Sequence, residues 1–297
     1  MTMIYTVINT KKIEDADVVI LSVPYEKTTS SRKGTANGPK EIIKCLDGKL
    51  EFWDQRYKCE PNMILKTAHK SLGILSLLKP EKAFQKITKE YEKVLSQNKF
   101  IFLLGGEHSI SLGAFKALSR NINPNEVTIL QIDAHCDLRD NDSDYPHSKV
   151  SNLAHSCVMR RASEFGYNIV QVGIRTYSKE EFEYFSDSKN RITVFDWRKN
   201  IPTIEQIMDS IKTKYLYITI DVDGFDPAYM PATGTPVQGG LEWYYGLELI
   251  EKAIEEKELI GADIVEVSPI KDSVLTEYGA AQLCYTMIAH KFKNKLL

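Results

Sequence analysis

Several common features are missing from this 297-residue sequence, and each absence excludes a class of protein. The five cysteines are scattered and form no C-x-x-C pair, which argues against a disulfide framework and favours a reducing compartment. The longest apolar runs, such as "FIFLL", are far too short to cross a bilayer. The N-terminal stretch lacks a cationic start followed by an apolar run, so it predicts no signal peptide. We therefore expect a soluble, cytoplasmic protein.

An excess of charge of one sign is also missing. The chain has 38 basic and 40 acidic residues and a net charge of −2. This balance gives no electrostatic footprint for nucleic acid or for an anionic membrane, so neither is an expected partner. The glycines form neither G-x-x-x-x-G-K-[ST] nor G-x-G-x-x-G in a fitting context, which argues against a phosphate-binding loop.

What the sequence does contain is a regular alternation of short apolar runs and amphipathic stretches. Such alternation is typical of a parallel sheet covered by helices on both faces. No linker, repeat or low-complexity segment interrupts it, so we expect a single domain over residues 1–297. Two loop-rich stretches, 24–40 and 138–155, are long enough to suggest function. The pattern predicts strands at 17–23, 100–106, 126–132, 168–174, 191–195, 215–222 and 259–267, and helices at 38–46, 80–97, 109–119, 178–185, 203–212, 241–257 and 277–292.

The stretch "LQIDAHCDLRD" (130–140) joins an apolar run to a set of ionisable residues. Asp133, His135 and Asp137 occupy every second position, so their side chains point to one side of an extended chain. Carboxylates gathered in this way repel one another unless a cation lies between them. Cys136 alternates away from these neighbours and is expected to serve packing.

Three other predicted strands also end in ionisable residues. In open parallel sheets, sites form beyond the carboxyl ends of the strands, where these side chains meet. Asp226 precedes Pro227 and is expected to be a turn residue. The residues that reach this edge are Glu107 and His108 after the first strand, Asp133, His135 and Asp137 after the second, Asp221 and Asp223 after the third, and Glu266 after the last.

Two histidines and four aspartates make an oxygen-rich site with some nitrogen, which fits neither cysteine-based zinc sites nor iron–sulfur clusters. Four carboxylates carry about four negative charges, which two divalent cations neutralise. Two metals lower the pKa of a water between them, so hydrolysis is the expected reaction. The predicted ligands are His108, Asp133, His135, Asp137, Asp221 and Asp223.

Taken together, these motifs carry a family resemblance. "GGEHS" (105–109), "DAHCDLRD" (133–140), "DVDGFDPAYMPATGTPVQGGL" (221–241) and "DIVEVSP" (263–269) resemble, in this order, the ureohydrolase family of arginases and agmatinases. "VPYEKTTSSRKGTANGP" (23–39) resembles the substrate-side loop of that family, and "HSCVMRR" (155–161) resembles the agmatinase branch. The resemblance implies a three-layer α/β/α fold, a mainly parallel eight-stranded sheet and two Mn²⁺ per chain.

The resemblance also implies a role for each site residue. His108, Asp133, Asp137 and Asp221 hold one metal, while His135, Asp133, Asp221 and Asp223 hold the other. Glu266 pairs with the guanidinium of the substrate. A bridging hydroxide attacks the guanidino carbon, Asp137 helps to pass a proton to the leaving amine, and His155 exchanges protons with solvent. A homo-oligomer, trimer or hexamer, is implied as well.

The sequence departs from the family pattern at a few positions. Glu107 replaces the usual Asp of "GGDHS", at a position that is not a ligand. The loop before His155 is longer than expected and contains His147, the alternative proton shuttle. Gly105 and Gly106 are expected to allow a tight turn with unusual backbone angles. His69 and His290 have no acidic or histidine neighbour in sequence, so packing or surface positions are expected for both.

Agmatine is the expected substrate, cleaved to putrescine and urea. Thr176 stands where arginases have an acid that holds the α-amino group, and Asn152 is one residue out of place for the α-carboxylate. Arginine, guanidinobutyrate, aminopropylagmatine and formiminoglutamate remain alternatives, as do an amide hydrolase and a metal-binding protein without turnover. An anionic Glu266 suits a cationic guanidinium, whereas a neutral amide would offer it no opposite charge.

Overall fold

The computed structural model describes residues 6–144 and 150–297. One eight-stranded sheet runs through them, and every strand pairing in it is parallel. The eight-stranded sheet that the resemblance implies is therefore confirmed. The strands, in the sheet order β2-β1-β3-β8-β7-β4-β5-β6, are β1 (Val18–Val23), β2 (Thr67–Ser71), β3 (Phe100–Gly105), β4 (Val127–Ile132), β5 (Asn168–Val172), β6 (Ile192–Val194), β7 (Tyr215–Asp221) and β8 (Glu258–Val265).

Helices connect the strands and cover both faces of the sheet. All seven predicted helices are present, with ends that shift by a few residues. Within the described residues, no helix combines the length and apolar character needed to cross a membrane. The helices are α1 (Gly38–Leu46), α2 (Pro61–Ile64), α3 (Pro80–Leu95), α4 (Ser111–Ser119), α5 (Val158–Phe165), α6 (Lys179–Ser186), α7 (Ile204–Ser210), α8 (Trp243–Glu256), α9 (Leu275–Lys291) and α10 (Lys293–Leu296).

Alternation along the strands produces the three layers. In β1, Val18 and Ile20 pack into one hydrophobic core with helices α1, α8 and α9, because alternate side chains of a strand point to opposite faces. Val19 and Leu21 pack into a second core with α3, α4 and α5. The α/β/α arrangement is confirmed, and it explains why these strands are almost continuously apolar.

The sequence pattern does not predict one of the eight strands. β2 has the sequence "TAHKS", lies at the edge of the sheet and pairs with β1 alone. Its exposure increases from the buried Thr67 to the exposed Ser71, so it shows neither an apolar run nor a clear alternation. Short edge strands of this kind carry little hydrophobic signal.

Strand order decides where the ionisable residues meet. β3, β8, β7 and β4 are the four consecutive central strands of the sheet. These four strands end in the predicted site residues, and all four run in the same direction. Their carboxyl ends therefore deliver Glu107, His108, Asp133, Asp221 and Glu266 to one stretch of the sheet edge.

The two remaining described histidines are buried or half-buried packing residues, as expected. Nε2 of His69 lies 2.8 Å from Oγ of Ser22. Nδ1 of His290 lies 2.6 Å from the hydroxyl oxygen of Tyr57, and the two rings meet edge to face. Burial, with a smaller contribution from Arg56, lowers the pKa of His290 to about 4.

We predict that the free energy of unfolding decreases less in mild acid for His290→Gln than for the native protein. The pKa of a histidine in an unfolded chain is near 6.5, so as the pH falls the unfolded chain binds a proton that the folded chain does not bind. This difference lowers the free energy of unfolding of the native protein by about 2 kcal/mol between pH 7 and pH 5. Urea denaturation at both pH values measures it. An equal decrease in native protein and variant would contradict the prediction.

Candidate functional site

The first half of the site gathers around His108, in the short 3-10 helix that follows β3. Its Nδ1 atom lies 3.1 Å from Oδ2 of Asp133, 3.0 Å from Oδ2 of Asp137 and 3.6 Å from Oδ2 of Asp221. Ligand atoms of His108, Asp133 and Asp137 all lie within 4.8 Å of one another, as a shared metal ion requires. The ends of β3 and β4 therefore contribute to this group, and Asp221 at the end of β7 lies beside it.

The second half shares Asp133 with the first. Asp133, His135 and Asp223 also offer ligand atoms within 4.8 Å of one another. Nδ1 of His135 lies 3.1 Å from Oδ2 of Asp223 and 3.6 Å from Oδ1 of Asp133. Asp221 lies next to both groups, and its Oδ1 accepts a hydrogen bond of 3.0 Å from the backbone of Asp223. The structure thus brings all six predicted ligands together, with Asp133 at the junction of two groups.

A buried relay fixes the orientation of the His108 ring. The hydroxyl of Thr219 donates to Oδ1 of Asp263 at 2.5 Å, so it accepts from Nε2 of His108 at 2.9 Å. When the ring is neutral, this leaves Nδ1 with a lone pair that faces the carboxylates. Nδ1 forms no hydrogen bond within the described residues although it is fully buried. A lone pair held among carboxylate oxygens is the arrangement that a metal ion satisfies.

The carboxyl groups of the site oppose one another's ionisation. Burial and the negative charge of Asp133 raise the pKa of Asp137 to about 7. Burial and the carboxylates of Asp223 and Asp133 raise the pKa of Asp221 well above its usual value. Burial and the nearby Glu107 do the same to the pKa of Glu266. Positive charge between these groups lowers their free energy, so the donor set fits two divalent cations.

The backbone is unusual at two of the predicted catalytic residues. Asp137 has a φ of 53° and Glu266 a φ of 64°, a left-handed conformation that residues other than glycine rarely adopt. Such conformations are held against their cost by surrounding contacts, and they concentrate at functional sites. Here the carbonyl of Asp137 accepts bonds from the backbone of Met159 and Arg160, at the start of α5.

The expected unusual angles at Gly105 and Gly106 are wrong, because neither residue has a positive φ. Close packing is the reason for glycine instead. A Cβ atom on Gly106 would lie 1.9 Å from the carbonyl oxygen of Tyr25. The loop of residues 24–36, which follows β1 and is called the 24–36 loop, therefore contacts the end of β3 directly.

Glu266 and His155 lie together beside the cluster. Oε1 of Glu266 accepts a hydrogen bond of 2.7 Å from the backbone of His108 and lies 3.9 Å from Nδ1 of His155. Glu266 is buried, whereas the His155 side chain retains 13% exposure. A group placed between cluster and solvent suits proton exchange. His147, the alternative shuttle, lies outside the described residues.

A cavity of about 300 Å³ leads from the cluster toward solvent. Both loop-rich stretches contribute to its wall, as expected from their length, and so does Thr235 in the segment 233–240 after β7. The wall also contains one cation, Arg139, that the sequence analysis did not single out. The lining residues are Ser30, His135, Asp137, Arg139, His155, Ser156, Thr176, Tyr177, Ser178, Glu181 and Thr235.

Two polar residues inside apolar strands were also missed. Gln131 in β4 donates to Oδ2 of Asp133 at 2.7 Å, and its oxygen accepts from Gln171 in β5. A glutamine that interrupts "VTILQI" and another that interrupts "NIVQV" were the available signals. Polar side chains in buried strands need partners, and here those partners orient a ligand.

Arg175 was missed as well, and it holds two loops beside the site together. Its buried guanidinium donates to the carbonyl of Asp223 at 2.6 Å and to the carbonyl of Gln238 at 3.0 Å. It thereby joins the loop that follows β7 to the 233–240 wall segment. The "GIR" strand end was visible in sequence, but the carbonyl groups that surround the guanidinium were not.

The two residues excluded from the site are placed as expected. Asp226 is a turn residue whose carboxylate accepts from the backbone of Ala228 at 2.8 Å and of Gly239 at 2.9 Å. Cys136 is fully buried in the second core.

Comparison with known proteins gives the same assignment. The arginase family model matches residues 16–289. The chain is 34% identical to an N(1)-aminopropylagmatine ureohydrolase of Synechocystis, over 93% of this chain and 89% of the relative, and 29% identical to a guanidinobutyrase of Pseudomonas aeruginosa, over 93% and 87%. The solved structure of an agmatine ureohydrolase of Thermoplasma volcanium superposes with a TM-score of 0.81 at 31% identity, covering 96% of this chain and 92% of that one. The chain belongs to the arginase family and is an agmatinase-like ureohydrolase.

Proposed function

We propose that this protein is a manganese enzyme that hydrolyses agmatine to putrescine and urea. The observation that carries the proposal is the pair of histidine–aspartate groups that share Asp133, next to the buried carboxyl of Glu266. Two such groups suit two cations, and a carboxyl beside them suits the cationic, planar guanidinium.

His108, Asp133, Asp137 and Asp221 hold one Mn²⁺ in this proposal, and His135, Asp133, Asp221 and Asp223 hold the other. The oxygen-rich donor set with imidazole nitrogen fits Mn²⁺ better than a thiolate-seeking metal. When bound, two such ions supply a water activated for attack on the guanidino carbon at neutral pH. Gln131 and the Thr219–Asp263 relay keep the ligands oriented.

The remaining residues bind the substrate and move protons. Glu266 accepts hydrogen bonds from the guanidinium and fixes its plane against the cluster. Asp137 accepts a proton from the attacking water and passes it to the leaving amine. His155 exchanges protons between this pocket and solvent, for which its partial exposure and its 3.9 Å separation from Glu266 are suitable.

The far end of the cavity supports a substrate without an α-amino acid group. Thr176 forms a parallel β-bridge with His135, which places a hydroxyl beside the cluster where arginases have an acid. Glu181, which lines this wall together with Asp137, already accepts bonds from the backbone of Leu138 at 3.0 Å and Ser178 at 2.7 Å. An arginine substrate would also bring an α-carboxylate to this wall, where Arg139 already pairs with Asp144. A carboxylate left without a partner costs several kcal/mol, about 2–7 for a buried polar group.

Arg139 favours a second candidate, a guanidino acid such as guanidinobutyrate. Its guanidinium lines the cavity and pairs with Asp144, whose side chain is 65% exposed. A substrate carboxylate could replace this exposed partner, since Arg binds carboxylates through paired donors. The guanidinobutyrase of P. aeruginosa is a relative over most of this chain.

The homo-oligomeric state, the cytoplasmic location and the single domain over 1–297 stay predictions. Light scattering at micromolar concentration tests the first of them. We expect the mass of a trimer or a hexamer, and the mass of a single 33.8 kDa chain would contradict it.

We predict that Asp133→Asn abolishes the binding of at least one manganese ion. The residue belongs to both ligand groups, so an amide there weakens both at once. Elemental analysis should find about two ions in the native chain and about one or none in the variant. Asp226→Asn is the matched control, because this neighbouring turn residue should keep the native metal content. Two ions and full activity in Asp133→Asn would show that the ligand assignment is wrong.

The substrate proposal is tested by urea release from agmatine, aminopropylagmatine, guanidinobutyrate and arginine on one manganese-loaded preparation. We expect the highest kcat/KM for agmatine and a loss of at least about a hundredfold for arginine, since each 1.4 kcal/mol is a factor of ten. Arg139→Gln should shift the preference further from guanidinobutyrate to agmatine by about tenfold, because it removes a cation from the wall. Arginine equal to agmatine would overturn the substrate assignment, and guanidinobutyrate as the best substrate would favour the second candidate.

A further inference from the structure

Glu107 is a fully buried carboxylate that has no place among the metal ligands. Oε2 accepts from the backbone of Lys27 at 2.5 Å and of Thr28 at 2.7 Å. Oε1 accepts from the hydroxyl of Thr28 at 2.5 Å and from that of Ser109 at 2.6 Å. Four donors on one buried carboxylate form a rigid connection between the end of β3 and the 24–36 loop.

The connection continues to His155. The proton of the Thr28 hydroxyl is directed to Glu107, so its oxygen presents a lone pair on the other side. The backbone N–H of His155 donates to this oxygen at 3.1 Å. Thr28 is itself buried, with 6% exposure, so water competes little for these bonds. A chain of hydrogen bonds therefore runs from Glu107 through Thr28 to the backbone of His155.

The loop that carries Thr28 is held at its other end by a second acid. Oε2 of Glu26 accepts from the backbone of Gly34 at 2.6 Å and from the hydroxyl of Thr35 at 3.3 Å. The loop therefore has little freedom to follow a displaced Thr28. It also places Ser30 in the cavity wall, beside His155.

His155 needs such a support because of where it lies. It begins the 3-10 helix His155–Cys157, at the end of a loop-rich stretch. Its ring must stay near Glu266, 3.9 Å away, while part of the side chain remains exposed. Displacement of a catalytic group by about 1 Å can cost about a hundredfold in rate.

We propose that Glu107 and Thr28 are positioning residues for His155: the buried carboxylate orients the Thr28 hydroxyl, which fixes the His155 backbone and thereby the place of its ring. The inference rests on the proton-transfer role of His155 proposed above. It also gives Glu107, which departs from the family pattern, a defined task in this chain.

A double-mutant cycle between Thr28 and His155 tests the proposal. Thr28→Val keeps the shape of the side chain but removes the hydroxyl that joins the two groups. We expect it to lower kcat for urea release by about 10- to 100-fold with little change in KM. His155→Asn should lower kcat by about 10²- to 10⁴-fold. The double variant should match His155→Asn within about twofold, because Thr28 acts through His155.

Two matched variants separate positioning from general damage. Thr28→Ser keeps the hydroxyl and should restore most of the native kcat. Ser109→Ala removes another donor from Glu107 but leaves the bond to His155, so its loss should be smaller than that of Thr28→Val. Thr28→Val should retain the native manganese content by elemental analysis.

The contrary results would overturn different parts of the proposal. Effects that multiply in the double variant, or loss of manganese from Thr28→Val, would overturn the positioning role while leaving the role of His155 intact. Native kcat in His155→Asn would overturn both, because the proposed proton path would then be wrong as well.

Discussion

The repulsion among buried carboxyl groups at one edge of the sheet is the constraint on which the rest of the site depends. Asp133, Asp137, Asp221 and Glu266 come from three neighbouring strands, and burial prevents water from screening their charge. A folded protein tolerates such a group when positive charge occupies the space between its members. The same requirement explains the histidines that face these carboxylates, the buried relay behind His108 and the proposed pair of cations.

Much of this arrangement could be predicted from the sequence, for two physical reasons. The apolar runs of β3, β4, β7 and β8 are long enough to show their burial, and the ionisable residues follow these runs directly. The charge balance of the ligands was therefore visible before any contact was known. That the four strands are consecutive in the sheet was not visible, because pairing order depends on packing between distant segments.

What the sequence did not reveal depends on long-range contacts or on weak local signals. The strand β2 is a short edge strand with one partner, so its pattern carries little information. Arg139 follows Asp137 by two residues, yet its place in the cavity wall depends on the backbone path after Asp137, whose left-handed conformation the sequence does not indicate. Glu107 and Thr28 are separated by 79 residues, and nothing in either segment alone indicates their hydrogen bond.

The predicted metal ligands and the cavity wall come from different parts of this architecture. Strand ends supply the predicted ligands, because they are rigid and close together, while loops supply most of the cavity wall. In the proposed function, Arg139 and Thr176 of this wall meet the variable end of the substrate, so specificity is expected to change there while the cluster stays the same. This division is consistent with relatives over most of the chain that are named for different guanidino substrates.

The claim that two cations balance this charge is tested most directly by anomalous scattering at the manganese edge from crystals grown with Mn²⁺. The account predicts two peaks per chain, one among His108, Asp133 and Asp137 and the other among Asp133, His135 and Asp223. A single peak, or peaks away from Asp133, would contradict it.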